Sequence, residues 1–211
     1  MKNLVHSFKK MLFSQKCPIC KRETDTEYYI CNRCYRRLRK KGTLKNQGRY
    51  YYLYYYDEDI KSVITDYKLR NRKKLGKELA SLVKKELVEL IKGLKIDIVI
   101  PVPISPGRLR ERGFNQVEEL LEQCRIRYRK IYREKETEHM YKYLDAGKRK
   151  KNIENVFRNR DLDLNGKRIL IVDDIVTTGA TTEEIEKEIC KNCVPDSVYI
   201  FSIAISKVFK E

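Results

Sequence analysis

The chain has 211 residues, of which 41% are hydrophobic, and this is enough for one medium-sized domain with a small appendage. No apolar run approaches the roughly 18 residues of a membrane-spanning helix, and no secretory signal is visible, so we expect a cytoplasmic protein. The formal net charge is +17, which indicates either a polyanionic partner, nucleic acid first, or a well-solvated lysine-rich surface.

The positive charge is concentrated near the start of the chain. Residues 1–45 carry 13 Lys and Arg against 3 Asp and Glu, a net charge of +10, and residues 46–211 carry the remaining +7. We therefore expect a small basic unit over residues 1–45 and a larger domain over residues 46–211, joined by a linker between Gly42 and Gly48. Apolar residues at helical spacing in residues 1–15 predict a helix that packs on the protein itself or touches an anionic membrane surface.

Four cysteines of the basic unit form two Cys-x-x-Cys pairs. Cys17 and Cys20 make the first pair, and Cys31 and Cys34 the second, with ten residues between the pairs. Two such pairs bring four thiolates to one tetrahedral point, which is the geometry that zinc takes in structural sites. Disulfides and a redox-active pair are the alternatives, and a reducing compartment disfavours disulfides. The sequence thus predicts a zinc knuckle with a basic flank.

A tyrosine-rich run from Arg49 to Tyr56 opens the larger domain. Tyrosine favours strands, and the alternating pattern predicts one face on the core and one half-exposed face, with stacking on single-stranded bases as the alternative. A basic cluster from Lys68 to Lys77 then enters a stretch with apolar residues at three- and four-residue steps up to Leu94. That spacing is typical of an amphipathic helix packed on a sheet.

A second buried strand is predicted from Asp97 to Pro103, where prolines close it. We expect the segment from Ser105 to Gln116 to be the loop after this strand and a helix to begin at Val117. Arginine binds phosphate with a planar fork of donors, and open α/β sheets bind ligands at the carboxyl ends of their strands. The loop carries three arginines suited to that role: Arg108, Arg110 and Arg112.

The strongest indication of a binding site lies between Ile169 and Thr182. An apolar run predicts a buried strand that ends at Asp173 and Asp174, and a tight turn then leads into an amphipathic helix. Free N–H groups at the helix start, the helix dipole, threonine hydroxyls and Gly179 favour a bound phosphate. Two carboxylates beside a phosphate would repel it unless they bind hydroxyl groups or a cation. A ribose 5-phosphate with Mg²⁺ supplies both. A capped turn after a core strand is the alternative.

These motifs resemble those of known families. An apolar strand, two acidic residues, two apolar residues and Thr-Thr-Gly-Ala-Thr resemble the ribose-phosphate signature of type I phosphoribosyltransferases. Together with Pro-Val-Pro from Pro101, Arg-Leu-Arg-Glu-Arg-Gly-Phe-Asn-Gln from Arg108 and the upstream cysteines, they resemble the ComF family of competence-associated proteins. The resemblance covers essentially the whole chain, and the run from Arg112 to Gln116 is its most specific motif.

The resemblance implies a mainly parallel α/β sheet with helices on both faces, preceded by the zinc knuckle. It implies binding of phosphoribosyl diphosphate with Mg²⁺ and, in an active enzyme, transfer of the phosphoribosyl group between pyrophosphate and an amine or nucleobase. Asp173 and Asp174 would meet the ribose hydroxyls, and Arg112 with Gly113 the pyrophosphate. Five residues of the turn would hold the 5-phosphate: Thr177, Thr178, Gly179, Ala180 and Thr181.

Two segments bear on the acceptor and on turnover. Thr177 stands where purine-salvage relatives commonly place an acidic residue that meets the base, so the acceptor is not identified. The basic, poorly periodic residues 125–160 correspond to the mobile lid of this fold, or to a charged loop. Family members share four residue types in that segment, which this chain supplies as Leu144, Arg149, Asn152 and Phe157, whereas Asn155 and Val156 replace the usual Gly-Ala.

The family resemblance also implies a role in natural competence and DNA uptake, with proteins of the uptake machinery as partners. The alternative is a non-catalytic module that binds nucleic acid or adapts other proteins, with the fold as a scaffold. Its surfaces for single-stranded DNA would be the basic residues from Arg33 to Lys41 and from Arg125 to Arg133. A last apolar strand, from Val198 to Ile205, adds core and no visible chemistry.

Overall fold

The computed structural model describes residues 15–24, 28–69, 74–134 and 156–209. The helix predicted within residues 1–15 lies almost wholly outside the described residues, as do Leu144, Arg149 and Asn152 of the predicted lid.

The four cysteines lie in a small N-terminal unit. Strand β1 (Gln15–Lys16) pairs antiparallel with β2 (Glu23–Thr24), and helix α1 (Asn32–Lys41) follows the second cysteine pair. Helix α1 ends in three basic residues, which suits the negative end of its dipole.

A five-stranded sheet forms the larger part of the molecule. The strand order is β3 (Lys45–Gln47), β4 (Tyr50–Tyr55), β9 (Ser197–Ile205), β8 (Arg168–Val176) and β5 (Ile98–Pro101). Strand β3 is antiparallel to β4, and the other pairs are parallel. The helices of this part are α2 (Glu58–Leu69), α3 (Leu75–Gly93), α4 (Pro106–Arg112), α5 (Gln116–Cys124) and α6 (Ala180–Cys190). Two short strands, β6 (Tyr132–Arg133) and β7 (Phe157–Arg158), form a separate antiparallel pair.

Buried side chains cover both faces of the sheet. Leu170 and Phe201 belong to a core that also contains residues of α2, α3 and α5, whereas Ile171 and Ile200 belong to a core that contains Ile185 of α6. Because parallel strands buried on both faces read as continuous apolar runs, β8 and β9 have the composition expected for such a sheet. The predicted fold class, a mainly parallel sheet with helices on both faces, is confirmed.

The tyrosine-rich strand is more buried than its alternation predicts. Tyr50 and Tyr52 lie in one core, Leu53 and Tyr54 lie in the other, and Tyr55 is 45% exposed. The half-exposed face is more covered than expected, because Leu53 shares a core with Ile30 and Leu38 of the cysteine-bearing unit. This burial leaves little room for base stacking along the strand.

Two predicted boundaries differ from the structure. Strand β8 continues to Val176, so Asp173 and Asp174 lie inside the strand and not beyond its end. The predicted loop from Ser105 to Gln116 contains helix α4, because Ser105 caps it by accepting a hydrogen bond from the Arg108 N–H and a proline occupies its first turn.

The N-terminal unit and the sheet share buried residues. Cys17, Ile30 and Leu38 belong to the same hydrophobic core as Leu53 and Leu79. The boundary at residue 45 therefore stays a prediction about chain organisation. Within the described ranges, no helix combines the length and apolar character needed to cross a membrane.

Candidate functional site

A cavity of about 230 Å³ opens at the carboxyl ends of β5 and β8. The two strands are parallel neighbours, with Pro101 opposite Val172, so the residues that follow them meet at one edge of the sheet. The cavity combines carboxylates, hydroxyls and cations. Its polar lining comprises Asp173, Asp174, Thr177, Thr178, Thr181, Thr182, Tyr56, Lys68, Arg108, Gln116 and Arg133.

The two aspartates are buried at the base of this cavity. Asp173 is 9% exposed and Asp174 is 5% exposed. The Asp174 backbone N–H donates to Asp173 Oδ1 at 2.7 Å, which orients the first carboxylate. Burial of two adjacent acids is costly unless each charge is compensated or one proton is retained.

Asp174 is compensated by a chain of contacts from three helices. Lys68 Nζ, on α2, lies 2.6 Å from Asp174 Oδ2, and Gln116 Nε2, on α5, donates to the same oxygen at 3.0 Å. Arg112 Nη1 donates to Gln116 Oε1 at 2.9 Å. Arginine carries only donors, so this contact places the carbonyl of Gln116 toward Arg112 and its NH₂ group toward Asp174.

The two carboxyl groups are driven apart in pKa. Burial opposes ionisation of Asp174, but the charge of Lys68 and the hydrogen bonds from Lys68 and Gln116 outweigh it and lower the Asp174 pKa. Burial, with the neighbouring charge of Asp174, raises the pKa of Asp173 to about 8. One carboxylate and one carboxyl group that readily keeps its proton therefore face the cavity.

The threonine-rich turn forms one wall of the cavity and leads into α6. Gly179 caps the helix with φ of +77°, and a Cβ at this position would lie 3.0 Å from the Tyr50 hydroxyl and 3.2 Å from the Phe209 ring. Thr182 Oγ1 donates to Gly179 O at 2.8 Å and holds the turn closed. Within the described part of the chain, Thr178 Oγ1 is buried and has no hydrogen-bond partner. A hydroxyl of this kind, beside the N–H groups of a helix start, suits a bound anion.

The predicted pyrophosphate residues sit next to the cavity without lining it. Arg112 is 9% exposed and directed to Gln116, and Gly113 ends α4 in the left-handed conformation, its N–H donating to Leu109 O. Arg108, one turn earlier on α4, lines the cavity instead. The helix places one arginine of the motif at the cavity and uses another inside the protein.

Three lining residues were not singled out from the sequence. Lys68 was counted within a basic cluster, Tyr56 within a strand and Arg133 within the predicted lid. Arg133 lies on β6, which pairs with β7 at the ends of residues 135–155, a segment outside the described residues. Their approach to Asp173 and Asp174 depends on contacts between distant parts of the chain, for which local sequence has no signal.

The cysteine cluster lies far along the chain from the cavity-lining residues. The Sγ atoms of Cys17, Cys20, Cys31 and Cys34 all lie within 4.8 Å of one another, and Cys20 Sγ is 3.6 Å from Cys31 Sγ. Four thiolates about 2.3 Å from a tetrahedral zinc ion are separated by about 3.8 Å. None of the seven cysteines forms a disulfide in this structure, which agrees with the metal-binding interpretation. The cluster can hold a metal ion such as zinc.

Helix α3 holds this cluster through one buried carboxylate. Glu78 Oε1 accepts from the Tyr29 N–H at 2.7 Å, and Glu78 Oε2 accepts from the Ile30 N–H at 2.8 Å, directly before Cys31. Glu78 is 8% exposed, and burial raises its pKa despite these hydrogen bonds. One turn after Cys34 on α1, the Tyr54 hydroxyl donates to Leu38 O at 3.1 Å.

Two solved structures align with part of the chain. A hypoxanthine-guanine-xanthine phosphoribosyltransferase aligns over 68% of each chain with 15% identity and a TM-score of 0.35. UMP synthase from Leishmania donovani aligns over 82% of this chain and 30% of its own, with 13% identity and a TM-score of 0.36.

Sequence comparison finds several related proteins, although no family model matches the chain. It is 29% identical over 185 residues to the DNA utilization protein YhgH of Escherichia coli O6:H1, covering 83% of this chain and 78% of that protein. It is 26% identical over 187 residues to the competence protein ComFC of Bacillus subtilis, covering 82% and 70%. With ComFC of Streptococcus pneumoniae the identity is 30% over 140 residues, covering 64% and 59%. These relatives, matched over 64–83% of the chain, confirm the predicted resemblance to ComF-type competence proteins.

Proposed function

We propose that this protein binds phosphoribosyl diphosphate together with Mg²⁺. The observation that carries the proposal is the joint lining of one cavity by Asp173, Asp174 and the turn from Thr177 to Thr181. A phosphate and a pair of ring hydroxyls are the two groups that such a cavity satisfies at once. An isolated phosphate would leave the carboxylates repelling the ligand.

Each part of the ligand has a counterpart among the lining residues. The 5-phosphate would accept from the N–H groups at the start of α6 and from the Thr178 hydroxyl, which has no other partner in the described structure. The ribose hydroxyls would donate to Asp173 and Asp174. Arg108 would face the pyrophosphate, and Arg112 and Gly113 would support it by fixing Gln116 and the end of α4.

Magnesium fits this site as an ion that arrives with the ligand. Mg²⁺ is usually held by one or two carboxylates plus substrate phosphates, and the cavity offers the Asp173 carboxyl group beside the expected phosphate positions. When bound, the ion would neutralise the pyrophosphate leaving group.

Transfer of the phosphoribosyl group is the reaction that this binding would permit. The aspartates and the turn would hold the ribose and its 5-phosphate, and the carboxylate charge would favour positive character at the ring carbon as pyrophosphate leaves. Thr177 is exposed and offers no carboxylate to an acceptor base. We therefore propose binding as the primary activity, with transfer to an amine or nucleobase as a further activity.

Calorimetry with phosphoribosyl diphosphate and Mg²⁺ tests the binding. We expect saturable binding by the zinc-loaded protein and its loss in the Asp173→Ala, Asp174→Ala double variant. The matched control is Asp161→Ala with Asp163→Ala, because these exposed aspartates change the net charge by the same amount. The proposal fails if the unmodified protein shows no heat of binding or if the double variant binds equally well.

We further propose that the four cysteines bind one structural zinc ion. Four thiolates leave no open position for water, so the ion would stabilise the fold and take no part in chemistry. Elemental analysis should give one zinc per chain. A Cys17→Ser protein that kept full occupancy would contradict four-thiolate ligation.

The related proteins suggest the cellular setting. The names "competence protein" and "DNA utilization protein" support a role in DNA uptake or use, with proteins of that machinery as partners. A second candidate function, single-stranded DNA binding, is favoured by the exposed Arg33, Arg36 and Lys40 on α1. Fluorescence anisotropy should show affinity that falls with salt and is weakened by Arg33→Glu with Arg36→Glu. No signal at low salt would remove this candidate.

A further inference from the structure

Lys68 occupies an unusual position for a lysine of this very basic chain. It lies in the last turn of α2, its side chain is 21% exposed, and its ammonium group is inside the candidate cavity at 2.6 Å from Asp174 Oδ2. Surface ion pairs such as Lys61 with Glu58 are exposed on both sides and contribute little. The pair with Asp174 is largely removed from water.

The oxygen that Lys68 contacts is already surrounded by N–H donors. Gln116 Nε2 donates to the same Oδ2 at 3.0 Å, and the Arg112 contact fixes the amide so that its carbonyl points away. Mg²⁺ binds oxygen lone pairs, with an ion-to-oxygen distance of about 2.0–2.1 Å. At Asp174 Oδ2 such an ion would meet two groups of N–H donors, one of them cationic.

The negative charge of Asp174 is also compensated without a metal ion. A lysine ammonium beside the Asp174 carboxylate supplies the positive charge that lets an ionised acid remain buried. Asp174 can then accept a hydrogen bond from a sugar hydroxyl through its remaining lone pairs. A divalent cation at this carboxylate would be needed only if Lys68 were absent.

We propose that Lys68 takes the place of a divalent cation at Asp174, so that the sugar-phosphate half of the ligand binds without metal and Mg²⁺ enters only with the pyrophosphate. This inference rests on the proposed function and specifies which half of the ligand depends on metal. It makes Lys68 a specificity-determining residue for a ribose phosphate, acting through Asp174.

The test uses ribose 5-phosphate, which carries the sugar-phosphate half alone. Calorimetry is performed on the zinc-loaded protein in magnesium-free buffer treated with a magnesium-selective chelating resin, and again in excess MgCl₂. We expect equal affinity in the two buffers for the unmodified protein. Lys68→Met should lose about 10- to 100-fold in affinity without metal, as for loss of a charged hydrogen bond, and excess Mg²⁺ should restore part of that loss.

Two further variants separate charge from packing. Lys68→Arg keeps the positive charge and should keep metal-free binding, and Lys85→Met, an exposed lysine of α3, should behave as the unmodified protein. Folding is checked by circular dichroism. If Lys68→Met does not fold, Lys68→Gln replaces it, because glutamine can still donate to Asp174 while carrying no charge.

The outcomes distinguish the inference from the function on which it rests. If the unmodified protein binds ribose 5-phosphate but needs Mg²⁺ to do so, the inference is overturned and the binding proposal stands. The inference is also overturned if Lys68→Met binds ribose 5-phosphate without metal as tightly as the unmodified protein does. If the unmodified protein binds ribose 5-phosphate in neither buffer, the proposed site itself is wrong and the role of Lys68 falls with it.

Discussion

At the scale of single residues, the candidate site contains a buried acid, Asp173, whose ionised form is unfavourable. Asp173 is buried beside Asp174, and burial followed by the charge of its neighbour raises its pKa to about 8. In the unfolded chain this carboxyl group has an ordinary pKa of about 4. Between that pKa and the raised pKa of the folded protein, ionisation costs free energy only in the folded state. Such a loss of folding stability is typical of binding sites, because groups that act on a ligand are often buried without full compensation of their charge.

Replacing this group should stabilise the ligand-free protein. Asp173→Asn removes the ionisable group but keeps an oxygen that can accept from the Asp174 N–H. A raised folded pKa means that the stability of the unmodified protein is fully present below pH 4 and is lost as pH rises toward 8, by up to about 1.4 kcal/mol per pH unit. The variant should therefore gain more in Tm at pH 8 than at pH 5, measured by thermal unfolding without ligand.

The control for this effect is Asp163→Asn, an exposed change that should show no growing advantage with pH. An Asp173→Asn protein whose Tm difference from the unmodified protein is the same at both pH values would show that burial does not shift Asp173. The same variant should bind ribose 5-phosphate less well, since it loses a carboxyl oxygen that can accept from a ribose hydroxyl.

At the scale of elements, local sequence predicted the strands and the turn better than the contacts between them. The apolar runs of β5, β8 and β9 were recognisable because strands buried on both faces are continuously apolar. The end of β8 was placed too early, since two acidic residues suggest solvent, whereas Lys68 and Gln116 compensate Asp174 inside the sheet. Those partners are distant in sequence, and no local pattern could reveal them.

Helix α4 was missed although its signals are local. Ser105 followed by Pro106 is a helix start, and Gly113 is a helix end, both by ordinary capping chemistry. The position of the helix directly after a strand closed by prolines indicated a loop instead. The helix directs Arg112 to Gln116, and the contact of Arg112 with pyrophosphate stays a prediction.

One contact between elements should control the cysteine cluster. Glu78→Ala would leave the Tyr29 and Ile30 N–H groups without their acceptor, at a cost of about 1–3 kcal/mol for each group that stays buried. We expect a lower Tm and faster zinc release to a chromogenic chelator. Glu89→Ala, an exposed change on the same helix, is the control. Unchanged zinc release in Glu78→Ala would show that α3 does not position the cysteines.

At the scale of the whole molecule, the cysteine-bearing unit is built into the main core. Cys17, Cys34 and Leu38 are buried with residues of α3, α5 and the sheet. The sequence predicted the cysteine cluster from spacing alone, because metal sites have a strict ligand geometry. It did not predict this shared core, because burial between two units depends on how they dock.

Removal of zinc should therefore affect the entire protein. We expect a chelator to lower the Tm of the main unfolding transition, because disordering of the cysteine-bearing unit would expose the core under α3. Calorimetry with and without a zinc chelator measures this, with readdition of zinc as the control. A small separate transition, with the main one unmoved, would indicate an independent unit.

The strand order carries a consequence for how the chain is made. Strand β9 lies between β4 and β8, yet it is the last of the described strands along the chain. Until β9 has been synthesised, β4 and β8 each lack their common neighbour. Each strand then exposes one edge of unpaired backbone groups, which can pair with another chain. During translation the nascent chain is thus exposed to aggregation over much of its length, and chaperone binding at this stage would protect it.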